Sequence, residues 1–130
     1  MTTAAGRMDA FEFRRIMGHW TTGVAVVATR RGERPWGLTA NAFASVSLDP
    51  PLVLVCVEKT VKSHDAIAAA GKFAVSILGA GQADVSNRFA SRVEDKFEGI
   101  AVSRGTTGVP LISEAPRSPR TRLPMYARYC

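Results

Sequence analysis

Residues 36–57 read WGLTANAFASVSLDPPLVLVCV. Positions 36–48 interleave small residues with apolar ones, which predicts an extended stretch. Asp49-Pro50-Pro51 ends it, because each proline biases the preceding residue away from the helix. LVLVCV (52–57) follows, apolar at every position and so predicted as a strand covered on both faces, central in its sheet. Thr39, Asn41, Ser45 and Ser47 fall at alternate or nearly alternate positions, which on an extended strand projects them toward one face. A row of small polar groups suits the polar edge of a flat heterocycle. It equally suits a plain solvent-facing strand edge.

Working outward, GVAVVAT (23–29) is β-branched and small and predicts a buried strand, joined to the central stretch by a polar turn, RRGERP. Before it, residues 9–19 space Phe11, Ile16 and Met17 as a short amphipathic helix, with Asp9 to cap it and Gly18 to end it. After the central stretch, EKTVKSHD is a polar loop, and 64–72 a short helix that Gly71 terminates. FAVSIL (73–78) reads as a strand, 82–91 as a helix with Val85 and Phe89 four apart, and 99–103 as a weak strand. Strands in turn-linked runs with inserted helices point to a mostly antiparallel β-barrel rather than a parallel α/β sheet.

The chain has 130 residues, 46% hydrophobic and 22% charged, the composition of one globular domain. No apolar run approaches the ~20 residues of a membrane span. The start, MTTAAGRMDAFEF, lacks the basic-then-apolar order of a secretory signal. A net charge of +6 invites a nucleic-acid reading, but residues 115–130 hold four arginines and no acid, leaving the body near-neutral without a basic stripe. No nucleic-acid or membrane partner is therefore expected. Cys56 sits in an apolar run as a small buried hydrophobe, and Cys130 is the last residue. With no disulfide framework, the expected compartment is the cytoplasm. Two histidines, His19 and His64, are too few for a His-based metal site.

No nucleophile–base set, nucleophile elbow, Walker motif or glycine-rich dinucleotide fingerprint is present. That favours chemistry carried by a bound cofactor. In the stretch Glu58–His64, Lys62 and Ser63 lie where a loop enters a helix, offering charge, a hydroxyl and free N–H groups to a phosphate. Ser63 as a simple N-cap beside solvated lysines is the competing reading. Arg88 and Lys96 could add to such a pocket, with Phe89 or Phe97 on a ring system or in the core. Trp36 could lie over a flat ligand or cover the core edge, and His19 suits a packing or capping role.

Taken in order, FRRIMGHWTTGVAVVAT, WGLTANAFASVSLDPPLVLVCV, KSHDAIAAAGKFAVSIL, ADVSNRFAS, DKF and GVPLI resemble the short-chain flavin reductases. These are FMN-binding split-barrel proteins that serve as reductase components of two-component flavin monooxygenases. The likeness covers roughly residues 11–112. It implies a mostly β, antiparallel split barrel with a few helices, usually a homodimer. It implies NADH- or NADPH-dependent reduction of FMN or FAD, with reduced flavin passed to a partner monooxygenase. By position it places Asn41, Ala42, Phe43, Ser45 and Ser47 at the isoalloxazine ring and ribityl chain, with Thr39 beside them. Lys62, Ser63 and His64 would lie at the phosphate, with Arg88, Phe89 and Lys96 as further flavin contacts. No side chain is assigned a catalytic role.

The expected organisation is a flexible stretch 1–8, a flavin reductase-like domain 9–112, and an atypical Pro/Arg-rich tail 113–130 without strand or helix periodicity. The family continues past GVPLI with an apolar strand and a Gly-Asp-His stretch whose histidine is associated with the nicotinamide site. The tail matches neither. A truncated or frameshifted end gives this pattern, as does a divergent one. The alternative function is accordingly a flavin-binding module without reductase turnover. A basic-tail binding protein is a weaker one, since no aromatic residue interleaves with the arginines before Tyr126.

Overall fold

The computed structural model describes residues 6–104 and 108–113, together with the backbone of 122–126. Helix α1 (Ala10–Met17) begins where expected: the Asp9 carboxylate accepts from the Glu12 N–H at 2.7 Å, and Gly18 forms the C-cap. Strands β1 (Ala25–Arg31) and β2 (Arg34–Ala40) pair antiparallel through a turn at Gly32 and Glu33. Gly32 takes φ +60°, so the turn is tighter than RRGERP suggests. The stretch 36–48 is not one strand. It breaks at Asn41-Ala42 into β2 and β3 (Phe43–Leu48), and β3 pairs with β4 (Pro51–Val55).

Helix α2 (Lys62–Ala70) starts two residues earlier than predicted and ends at Gly71 with φ +68°. β5 (Lys72–Ile77) follows, then α3 (Ala83–Ala90), β6 (Val102–Arg104) and β7 (Pro110–Ile112). The backbone of Arg122–Tyr126 forms β8, paired with β5, where periodicity alone predicts loop. The strands make three antiparallel sheets: β2-β1-β5-β8, β3-β4 and β6-β7. This is a mostly β, antiparallel fold, and among the described residues the sheets do not close into a complete barrel.

β1 is the centre. Residues 25–29 are all buried. Alternation sends Ala25 and Val27 to one face, where Ala40, Phe73 and Val75 meet Phe43, Val53, Val55 and Ile67. Val26 points the other way, into a core of Phe89, Ile112, Val85 and Phe97. β4 is the counter-case, and the expectation of a central strand fails there. It has a single partner strand, and Leu52 and Leu54 are 41% and 40% exposed. Only the odd positions Val53 and Val55 reach the core. Cys56, in step with Leu52 and Leu54, is a free thiol that lies exposed rather than buried; Cys130 lies outside the described residues. No helix among the described residues is long and apolar enough to cross a membrane.

Candidate functional site

β2 is an edge strand, and a cleft of about 680 Å³ runs along it. Residues 34–39 form its floor, the turn into α2 one wall, and the end of α3 with the following loop the other. An edge strand carries backbone groups that need partners. Here the Gly37 carbonyl accepts from Ser63 Oγ at 3.0 Å and from Lys96 Nζ at 3.2 Å, tying both walls to the floor. Any residue could offer that carbonyl, but the packing above position 37 calls for glycine. A Cβ there would stand 2.9 Å from Phe89 Cε1 and 3.1 Å from Phe97 Cζ. Those rings meet edge-to-face at 4.9 Å.

The second wall is clasped from both sides. Arg88 donates to the carbonyls of Lys96 (2.8 Å) and Asp95 (3.1 Å), and Lys96 Nζ donates back to the Phe89 carbonyl at 3.1 Å. Phe89 lies in the last turn of α3, so the ammonium satisfies a carbonyl the helix leaves open. Burial pulls the Lys96 ammonium below the ordinary lysine range, although both carbonyls favour its charged form. Across the mouth, Lys62 Nζ stands 3.9 Å from Glu94 Oε1, with both side chains largely in solvent. Such a pair is weak and readily exchanged for another anion.

The cleft brings together five of the predicted residues: Thr39, Lys62, Ser63, Phe89 and Lys96. Thr39 Oγ1 donates to the Ser86 carbonyl at 2.6 Å, holding α3 to β2. Ser63 is neither N-cap nor free. The N-cap is Val61, which supplies no side-chain bond, and the Ser63 hydroxyl is spent on Gly37. Phe89 is 1% exposed and belongs to the core, forming wall rather than contact surface. His64, in the first turn of α2, faces Asp65 at 3.3 Å and does not line the cleft. Nor does Arg88, whose guanidinium is turned to backbone.

Asn41, Ala42, Phe43, Ser45 and Ser47 sit beyond the end of β2, outside the cleft. They do not form one polar face. A register shift at Val46 pairs Ser45 with Val53 and Ser47 with Leu52, neighbours whose side chains leave β4 on opposite faces. Phe43 turns inward onto the β1 core. The side chains of Asn41, Ser45 and Ser47 make no hydrogen bond with a described residue. The cleft also holds Glu58, from the loop before α2, and residues the motif reading passed over, Arg34 and Arg92 among them. Arg34 lies 4.3 Å over the Trp36 ring, and an Arg two residues before a Trp on a predicted strand was the available signal. His19 is exposed beyond α1, where its backbone N–H closes on the Ile16 carbonyl.

Comparison with known proteins identifies the chain's kin. The family model described as flavin reductase like domain matches residues 17–123. An NADH-dependent FAD reductase of Streptomyces globisporus is 44% identical over 112 residues, covering 82% of this chain and 61% of that protein. The reductase subunit HsaB of a flavin-dependent monooxygenase from Mycobacterium tuberculosis is 41% identical over 108 residues, covering 83% and 58%. Among solved structures, the Streptomyces globisporus NADH:FAD oxidoreductase in complex with NAD and FAD fragments superimposes with a TM-score of 0.77. It is 44% identical, and the match covers 82% of this chain and 65% of that one. The chain spans about a third to three fifths of the length of the curated relatives it matches, from 34% of one to 61% of another. A match running from the end of α1 into β8, through every strand that builds the cleft, settles the kinship: this chain belongs to the flavin reductase like domain family.

Proposed function

We propose that this protein binds flavin and catalyses its reduction by NADH or NADPH, supplying reduced flavin to a partner monooxygenase. The observation that carries the reading is the likeness across residues 17–123 to proteins named as NADH-dependent flavin reductase and monooxygenase reductase subunit. The local chemistry fits a flavin at both ends. At the phosphate end, α2 opens without a side-chain cap; the His64 N–H donates to the Val61 carbonyl at 3.0 Å, which leaves the Lys62 and Ser63 amides for a phosphate beside the Lys62 ammonium. At the ring end, Asn41, Ser45 and Ser47 offer donors and acceptors without described partners. When bound, flavin supplies the redox chemistry, taking up a hydride from the reduced nicotinamide.

The chain's own part is positioning. Lys62 and the α2 amides hold the phosphate, while Ser63 and Lys96 fix the floor on which it rests. Asn41, Ala42 and the β3 residues orient the ring. Thr39, Arg88 and Phe89 act one step back: they hold α3 and its loop against β2. Flavin that must depart after reduction calls for modest affinity, and a single exposed lysine shared with Glu94 suits that. The protein works as a homodimer in this reading, which would cover the exposed apolar side chains of α1 and of the β3–β4 hairpin, Phe11 and Leu48 among them. The free Cys56 thiol suits a reducing, cytoplasmic compartment.

The test is a flavin titration followed by rapid mixing with NADH and with NADPH. Rapid bleaching of the bound chromophore is the expected result. A yellow protein that neither nicotinamide reduces would select the flavin-carrier alternative, and a protein that binds no flavin would refute both.

A further inference from the structure

The cleft and the ring-contact residues do not coincide. Every candidate inside the cleft belongs to the phosphate end or to its support, and none of residues 41–47 lines it. β2 runs from Arg34 to Ala40, with the α2 wall tied to its middle at Gly37. The cleft runs on both sides of that tie, from Arg34 to Thr39; on the reading above the flavin ring lies toward Asn41, and the Trp36–Arg34 end of the cleft points away from it. A mononucleotide ends at its phosphate. It would leave this half of the cleft unfilled.

The chemistry of that half is specific. Trp36 lines it, with the Arg34 guanidinium stacked 4.3 Å over its ring, a flat, cationic, aromatic platform of the kind that accepts a further base. Lys62 and Arg92 line the same cleft, two cations for a pyrophosphate. Glu58 and Glu94 also face the cleft. Carboxylates oppose a run of phosphates but accept from ribose hydroxyls and from the amino group of adenine. A neutral base on a ribose, joined to a pyrophosphate, meets all of these groups at once.

We propose that this half of the cleft takes the adenosine diphosphate moiety of a dinucleotide, with adenine added to the Arg34–Trp36 stack, and that Trp36 thereby selects dinucleotide over mononucleotide. The inference rests on the flavin-binding reading above. Two ligands carry the moiety, FAD and the nicotinamide dinucleotide, and the experiment separates them.

The experiment measures dissociation constants by calorimetry for FMN, FAD and ADP on the full chain, and for NADH on the FMN-loaded chain. It compares wild type with Trp36→Ala and Trp36→Phe. Trp36→Ala is expected to weaken FAD and ADP about tenfold, the usual worth of one base–aromatic stack. FMN should change less than twofold, and Trp36→Phe should restore most of the loss. Weakened NADH and ADP with unchanged FAD would also support the site and assign it to the nicotinamide dinucleotide. Equal weakening of FMN and FAD, or no change in FAD, ADP and NADH, would overturn the proposal while leaving flavin binding intact. If wild type binds no flavin, the underlying reading fails. ADP then decides: binding that Trp36→Ala abolishes upholds the site, and its absence removes it. Should Trp36→Ala not fold, as circular dichroism would show, Arg34→Gln at the exposed end of the stack replaces it, with a smaller loss in the same ligands expected and no loss overturning the proposal.

Discussion

β1 and β4 look alike in sequence and end differently. Both are runs of apolar residues bounded by turns, AVVAT and PLVLV. Yet β1 is buried over five consecutive residues, whereas β4 alternates between half-buried and exposed. The difference lies in what surrounds them. β1 has a strand on each side and a core on each face, while β4 has β3 on one side and a core on one face only. An apolar run states that both faces are to be covered, without saying by what. The contrast matters because the proposed flavin site straddles it: its phosphate end would rest on the buried half and its ring end on the exposed hairpin.

The hardest blow to the buried half is Phe89→Ala. The ring is 1% exposed and touches Val26, Gly37 and Phe97 in a single cluster. Its removal is expected to cost about 3–5 kcal/mol in denaturant unfolding. A loss below about 1 kcal/mol would show that the second face of β1 is loosely packed. Gly37→Ala comes next and tests the same place by overfilling. The new Cβ would meet Phe89 Cε1 at 2.9 Å, and the buried ring has little room to yield. About 1–3 kcal/mol is expected. Because Gly37 also carries the Ser63 and Lys96 hydrogen bonds, flavin affinity should fall with it.

The exposed half should answer differently. Leu54→Ser, on the outer face of β4, should change the stability of the isolated chain by no more than about 0.5 kcal/mol. It should instead shift a dimer toward monomer in sedimentation at micromolar concentration. A loss of stability like that of Phe89→Ala, independent of protein concentration, would mean the hairpin is covered from within its own chain. Leu54 thus separates an interface from a core more directly than any buried position can.

Much of this was readable in advance, and the reasons are local. Asp9 and Gly18 bracket α1 because capping depends on side chains three or four residues away. β1 and α3 followed from periodicity that the core then used. What escaped the sequence was set by distant partners. The Ser63 hydroxyl could serve as a cap or a ligand contact, and nothing within the segment reveals that a carbonyl 26 residues away claims it. Arg88 reads as a cation for a phosphate, but the carbonyls of Asp95 and Lys96 hold it. The polar row from Thr39 to Ser47 read as one face because period two was assumed throughout. The break at Asn41-Ala42 and the register shift at Val46 leave no such face. Trp36 reads equally as ligand platform or core edge from its segment, and its place in the lining of the cleft depends on α2 and α3, far along the chain.

Lys96 belongs to the buried half at its boundary with the cleft, where it ties β2 to the end of α3, and its effect is the subtlest to detect. Burial holds its pKa below 10.5 in the folded protein, so the charged form is disfavoured on folding. The sign follows. Below the folded pKa the lysine is charged in both states and its burial penalty is fully present. As pH rises from that value toward 10.5, the folded state sheds its proton before the unfolded state does, and the penalty is relieved. Wild type should therefore gain stability relative to Lys96→Met across that alkaline window, measured as the difference in urea midpoints. A flat difference would place Lys96 in effective contact with water. Bound flavin phosphate should stabilise the ammonium and move the window upward. A window that flavin leaves in place would remove Lys96 from the phosphate's surroundings and restrict it to the Gly37 and Phe89 carbonyls.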